Sequence, residues 1–304
     1  MTVLCWSVFR CWKIRMNSTA KNQWFLTLPS LLWLFIFFLI PTVVIYAYAL
    51  KPGTIYGGVG DGWSLESIKT LFDPNYYILI GRTLFLSLMT TLICLLLALP
   101  VGYQMTLISK RARHLLLLLL VLPFWSSFLI RIFAWKMLLH PEGYLKKLLV
   151  FLHLVDPATS LLYNITSVIL IMVYTYLPFA VFPIYAAASK FNFQLFEAAM
   201  DLGASRSKAF FKVFIPGIGK GIITATIMVF ISAVGAYVIP DLIGGFSSEM
   251  IGNKIAQRVF VDRDLPQASA LSALLSAIIL IPLLIILLVS THQKRLEAEV
   301  RNRE

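Results

Sequence analysis

The sequence predicts an all-α integral membrane protein with about six transmembrane helices. Three observations carry this. The 304 residues are 59% hydrophobic and 13% charged, against roughly 45–50% and 25% in soluble domains. The apolar residues fall in long unbroken runs without the alternation of half-buried strands. The basic residues collect in every second connecting segment, as a bilayer sorts them.

Six stretches are long enough for the ~20 apolar residues that cross a ~30 Å hydrocarbon core: 24–49, 79–108, 115–139, 162–189, 216–239 and 265–290. The first follows a basic segment (Arg10, Lys13, Arg15, Lys21). It exceeds the ~7–15-residue apolar core of a cleaved signal peptide and shows no small-residue cleavage pattern, so it reads as a retained helix. The expected organisation is a basic N-terminal segment over 1–23, one membrane domain over 24–290 and a polar tail over 291–304.

Charge sets the orientation. With both termini in the cytoplasm, the inner segments hold 16 of the 26 Lys and Arg but only five of the 14 acids. Asp61, Glu66, Asp73, Glu142, Asp156, Asp241, Glu249, Asp262 and Asp264 fall outside. The net charge of +12 would suggest nucleic acid in a soluble chain; here the asymmetry accounts for it.

Other chemistry is sparse. Cys5, Cys11 and Cys94 form no disulfide framework, and Cys94 within an apolar run reads as a small hydrophobe. The four histidines are scattered at segment ends and no metal-ligand spacing occurs, so neither a metal nor a catalytic group is expected. Pro41, Pro100, Pro123, Pro178 and Pro183 lie within predicted spans, where kinks are common and can also serve gating.

The segment 191–215 is too polar to span. Glu197 to Leu202 favour or tolerate helix, and Gly203 suits a left-handed cap that other residues adopt at a cost. Ser205 suits the N-cap of a second short helix over 205–214, and Pro216 the start of the next span. Phe193, Phe196 and Leu202 would be apolar knobs, with Ala198 and Ala199 small enough for close approach. Two readings stay open on physics alone: a knob docking in a soluble partner, or an interfacial helix on lipid.

Glu197-Ala198-Ala199, Asp201, Gly203-Ala204 and the later Phe211, Val213, Ile215 and Pro216 resemble the EAA signature of ABC-importer permeases. The resemblance implies a type I importer (MetI-like) permease fold in which Glu197, Ala198, Ala199, Asp201 and Gly203 form a cytoplasmic coupling helix. It also implies two copies of an ATP-hydrolysing subunit, a second homologous permease and a periplasmic binding protein. No Walker A pattern occurs in this chain, so ATP would be bound by the partner and no cofactor is expected here. Leu122-Pro123-Phe124-Trp125-Ser126-Ser127-Phe128-Leu129-Ile130-Arg131, the run 236–245 and Met250-Ile251-Gly252-Asn253 are similar to spermidine/putrescine permeases of the PotB and PotH type. The stretch Asp262-Arg263-Asp264-Leu265-Pro266 has Leu265 where that family has tryptophan. The implied function is polyamine import across the inner membrane.

Trp125, Tyr237 and Asp241 are the candidate pathway residues. Tyr237 and Asp241 are four apart, on one face if the fifth helix persists, with Pro240 freeing backbone carbonyls nearby. A carboxylate, a ring and carbonyls suit an organic cation; the alternative is a solvated acid beside an interfacial aromatic. Glu249 is expected further out in the loop. Arg131, about 24 Å along a straight third helix at 1.5 Å per residue, either snorkels outward or joins helices. The rival assignments are an importer of another small solute (amino acid, phosphonate, metal complex) and an ion-coupled secondary transporter. The latter would need intramembrane acids and would leave the EAA loop unexplained.

Overall fold

In the computed structural model, which describes residues 20–54, 57–281 and 284 with side chains from 27 onward, regular structure is helical. The exception is an isolated bridge between Gly53 and Val59. Helix α1 starts as Ala20–Leu34, passes through a π-turn at Phe35–Leu39 and continues over Ile40–Tyr48. Its most apolar window contains no buried residue. Its exposed Trp33, Phe35, Phe37 and Phe38 suit contact with lipid.

A short helix, α2 (Glu66–Lys69), leads to α3 (Pro74–Leu107), started by Asp73, whose side chain accepts the Asn75 N–H. Helix α4 (Lys110–Val121) runs through a 3-10 turn, Leu122–Trp125, to α5 (Phe128–Leu139) and α6 (Tyr144–Phe151). Helix α7 (Ile165–Ala188) follows, with Asn164 as its side-chain cap.

Helices α8 (Gln194–Asp201) and α9 (Arg206–Gly217) form the polar segment. Helix α10 (Gly219–Val234) is the next apolar piece, followed by α11 (Val238–Ile243), α12 (Ile251–Phe260) and α13 (Leu265–Ile281). The expected tail over 291–304 and the end of the sixth stretch lie outside the described residues, as do residues 1–19.

The core is the triple contact of α3, α7 and α10. Thr83, Ser87, Thr90, Thr91, Cys94 and Ala98 bury one face of α3. The hydroxyls of Thr83, Ser87 and Thr91 donate to carbonyls one turn back, so these polar groups enter the core satisfied. Small residues set the helix spacing: a side chain at Gly102 would strike Ile184, and one at Gly221 would strike Ala187 and the Pro183 carbonyl.

Two predicted spans are corrected. The third is not one helix: Lys110–Trp125 and the piece from Phe128 onward meet at 93°. Pro123 tightens the turn, the Ser126 N–H and hydroxyl both return to the Pro123 carbonyl, and Ser126 and Ser127 are extended. The depth inferred for Arg131 from a straight helix therefore does not hold. Its guanidinium lies over the rings of Phe124 and Phe128, 5.1 and 5.9 Å from their centroids, joining the two sides of the break.

The fifth predicted span is also bent. Arg206–Gly217 and Gly219–Val234 meet at 73°, with Ile218 at the corner, so Pro216 lies before the bend and does not start the span.

Candidate coupling elbow and outer cavity

The elbow between α8 and α9 has the cap geometry that its glycine demands. Gly203 has φ +87°. Its N–H returns to the Met200 carbonyl at 2.9 Å and the Ala204 N–H to the Ala199 carbonyl at 3.0 Å, the bond pair of a Schellman cap. The Ser205 hydroxyl then accepts the Lys208 N–H at 3.3 Å and starts α9. Helix, left-handed corner and capped helix follow one another with no free linker.

Of the three apolar knobs that the sequence suggests, Leu202 stands exposed, whereas Phe193 and Phe196 turn inward. Phe196 is only 5% exposed, and Phe193 packs against the same core. Both rings gather round Tyr103 near the end of α3, at 5.7 and 6.3 Å, together with Phe210 and Phe214 at 5.3 and 5.1 Å. Phe191 closes the cluster by lying on Gly217. Half of α8 is thus used to fix the elbow to the protein's own core. The exposed half carries Leu195, Ala198 and Leu202, spaced three and four apart and so on one face, with Leu202 90% exposed. Glu197 and Asp201, also four apart, stand exposed beside them, while Ala199 is partly buried against the core.

At the other end of α3 lies a cavity of about 790 Å³, lined among others by Tyr163, Tyr237, Asp241, Glu249, Asn253 and Gln257. Exposed Phe246, Phe260 and Val261 also line it. Helix α10 ends at Val234, and the chain is non-helical through Ala236 and Tyr237 before α11 begins. Tyr237 and Asp241 still share one turn, because the Asp241 N–H donates to the Tyr237 carbonyl at 3.0 Å. That turn belongs to α11, not to the spanning helix. Pro240 does not cause the break: it sits in the first turn of α11, where a missing N–H costs little, and its carbonyl accepts from Gly244 at 2.9 Å.

Sequence reasoning missed Tyr163, Gln257 and the placement of Glu249, which lines the same cavity as Asp241 instead of lying beyond it. No local signal marks them. Tyr163 precedes α7 with φ +62°, held there by donating its N–H to the Ile243 carbonyl at 2.8 Å. Trp125 is not brought to this cavity; it ends the 3-10 turn at the break of the third span, 79% exposed.

The cavity wall is fastened to α3. Arg82 donates to the Phe246 carbonyl at 2.6 Å, and the Ile251 N–H donates to the Thr83 hydroxyl at 2.9 Å. Further along α12, Arg258 pairs with Asp262 at 2.7 Å and meets the Tyr76 hydroxyl. Burial pulls the Arg258 pKa down, but Tyr76 and Asp262 more than offset this, so it lies above the ordinary arginine value and the guanidinium stays charged.

The comparisons with known proteins agree with this architecture. The chain is 33% identical over 270 residues to the spermidine/putrescine transport system permease protein PotB of Salmonella typhimurium (strain SL1344), covering 89% of this chain and 94% of that one. It is 34% identical over 253 residues to the protein of the same name from Escherichia coli (strain K12), covering 83% and 92%. A bacterial ABC transporter involved in the import of the acidic polysaccharide alginate superposes with a TM-score of 0.71 over 94% of this chain and 98% of that chain. At 20% identity this is a likeness of fold. The family model described as binding-protein-dependent transport system inner membrane component matches residues 95–302, and the chain belongs to that family.

Proposed function

We propose that this chain is a permease subunit of an importer that moves polyamines, spermidine or putrescine, across the inner membrane. The observation that carries the substrate class is the cavity in which Asp241 and Glu249 stand with Tyr163 and Tyr237. A polyamine is a chain of ammonium groups joined by methylenes. Shedding its water needs carboxylates for the charges and ring faces for both charges and methylenes. The names of the relatives point the same way.

In this reading α8 is the coupling helix. Leu195, Ala198 and Leu202, flanked by Glu197 and Asp201, dock in a groove of an ATP-hydrolysing subunit, present in two copies. Gly203 fixes the angle at which that contact continues into α9. The chain itself binds no nucleotide and needs no cofactor. A second homologous permease closes the pathway, a periplasmic binding protein delivers substrate to the outer face, and both termini are cytoplasmic. The charge asymmetry of the loops supports that orientation.

The test is uptake of radiolabelled spermidine and putrescine by cells lacking their own polyamine importers and expressing this chain with its partners. Saturable, ATP-dependent uptake is expected. Its absence, with uptake of an amino acid or phosphonate instead, would transfer the cavity to another solute.

A further inference from the structure

We infer that Asn253, seated by Gly252, is the positioning residue that holds Tyr237 and Asp241 toward the cavity; the inference rests on reading that cavity as the substrate path. The break after Val234 leaves Tyr237 outside the spanning helix, so α10 does not fix its direction. Something else must, and α12 supplies it. The Asn253 amide donates to the Tyr237 carbonyl at 2.8 Å and reaches Asp241 Oδ1 at 3.5 Å. Its own oxygen accepts the Met250 N–H at 3.2 Å. One side chain therefore joins the start of α12, the carbonyl of the pathway tyrosine and the pathway carboxylate.

Gly252 lets this contact form. A side chain there would come to 3.0 Å from both the Ala236 carbonyl oxygen and Tyr237 Cβ, so any other residue makes Tyr237 or α12 give way by a few tenths of an ångström. The base of the contact is fixed in turn, because the next N–H back, that of Ile251, is tied to Thr83 in the core. Asn253 thus refers Tyr237 and Asp241 to α3 through a loop helix.

Asparagine is required because the contact needs both halves of an amide. The oxygen caps α12 and the nitrogen donates to two acceptors. This separates a mere cap from a positioning residue. Asn253→Asp keeps an acceptor for the Met250 N–H but has no donor for Tyr237, and sets a second carboxylate beside Asp241. It should reach the membrane at the wild-type level and lower maximum polyamine uptake about tenfold, the scale of a lost hydrogen bond to a charged group. On an Asp241→Asn background the same change should lower uptake less, because the repulsion between two carboxylates is gone while the lost bond to the Tyr237 carbonyl remains. Wild-type uptake by Asn253→Asp would reduce the residue to a helix cap. An equal fold-loss in both backgrounds would show that it does not act through Asp241.

A second measurement needs no substrate. In a background without native cysteines, Tyr237→Cys should change its labelling rate by a charged thiol reagent several-fold when Asn253→Asp is added. An unchanged rate overturns the inference even if no polyamine is moved. A changed rate with no polyamine uptake by the unmodified protein removes the substrate reading alone. If Asn253→Asp fails to assemble, Asn253→Ser, which keeps an oxygen near the Met250 N–H on a side chain too short to reach the Tyr237 carbonyl, carries the same test: a changed labelling rate of Tyr237→Cys supports the contact, and an unchanged one refutes it.

Discussion

Thr83 and Tyr103 stand twenty residues apart on α3, about 30 Å at 1.5 Å per residue. Thr83 accepts the backbone N–H of Ile251 at the cavity end, and Tyr103 centres the aromatic cluster that holds the elbow between α8 and α9. The separation is that of a bilayer core. One helix therefore joins the surface where substrate would enter to the surface where ATP hydrolysis would act. The rings pack α8 directly against α3, with no flexible linker between them.

The elbow should fail when its corner is filled. Gly203 has open space around it but a left-handed backbone, so Gly203→Val strains the turn by about 1–2 kcal/mol without a steric clash. Membrane level should stay normal, while stimulation of ATP hydrolysis by loaded binding protein is lost. Normal coupled hydrolysis and uptake would remove the elbow from the coupling path.

Phe196 and Leu202 should separate stability from docking. Phe196 is buried among the rings around Tyr103, so Phe196→Ala should cost roughly 3–5 kcal/mol and lower the thermal midpoint of the purified permease. Leu202 is almost fully exposed, so Leu202→Ala should leave the midpoint unchanged and weaken co-purification of the ATPase subunit. Equal midpoints for the two variants would contradict the inward placement of Phe196.

Asp241 and Glu249 should both matter, since both line the cavity. Asp241→Asn and Glu249→Gln should each lower maximum polyamine uptake on the order of tenfold, the loss of a charge-assisted contact. Asp156→Asn should behave as wild type, because Asp156 is exposed elsewhere and does not line the cavity. Uptake unaffected by either cavity substitution would remove the cation site.

Sidedness follows from the charges and can be read directly. In a background without native cysteines, Ser247→Cys should be labelled from outside by an impermeant thiol reagent, and Ser207→Cys only after permeabilisation. Both serines are exposed, so access is decided by side. Labelling of Ser207→Cys in intact cells would invert the topology.

Composition and run length determined the class of this protein, because 59% apolar residues cannot be hidden from water in one small domain and must meet lipid. Local rules also determined the elbow: a glycine at the corner and a serine after it act through their nearest backbone neighbours, so Gly203 and Ser205 are readable in the chain itself. The breaks were readable only in part: Pro123, one of the prolines expected to kink a span, lies in the turn just before the break at Ser126–Ser127, but the other prolines were poor guides. Pro100, Pro178 and Pro183 lie inside α3 and α7, which remain single helices, whereas the chain turns at Ser126–Ser127, Ile218 and Gly235–Tyr237. A proline removes one hydrogen bond that neighbouring helices can compensate, so where a span bends depends on what packs beside it. The same holds for Phe196, packed against Tyr103, and for Glu249, which lines the same cavity as Asp241. Those positions rest on contacts between residues far apart in the chain. Hydropathy and spacing record only neighbours, so only the tertiary structure could decide them.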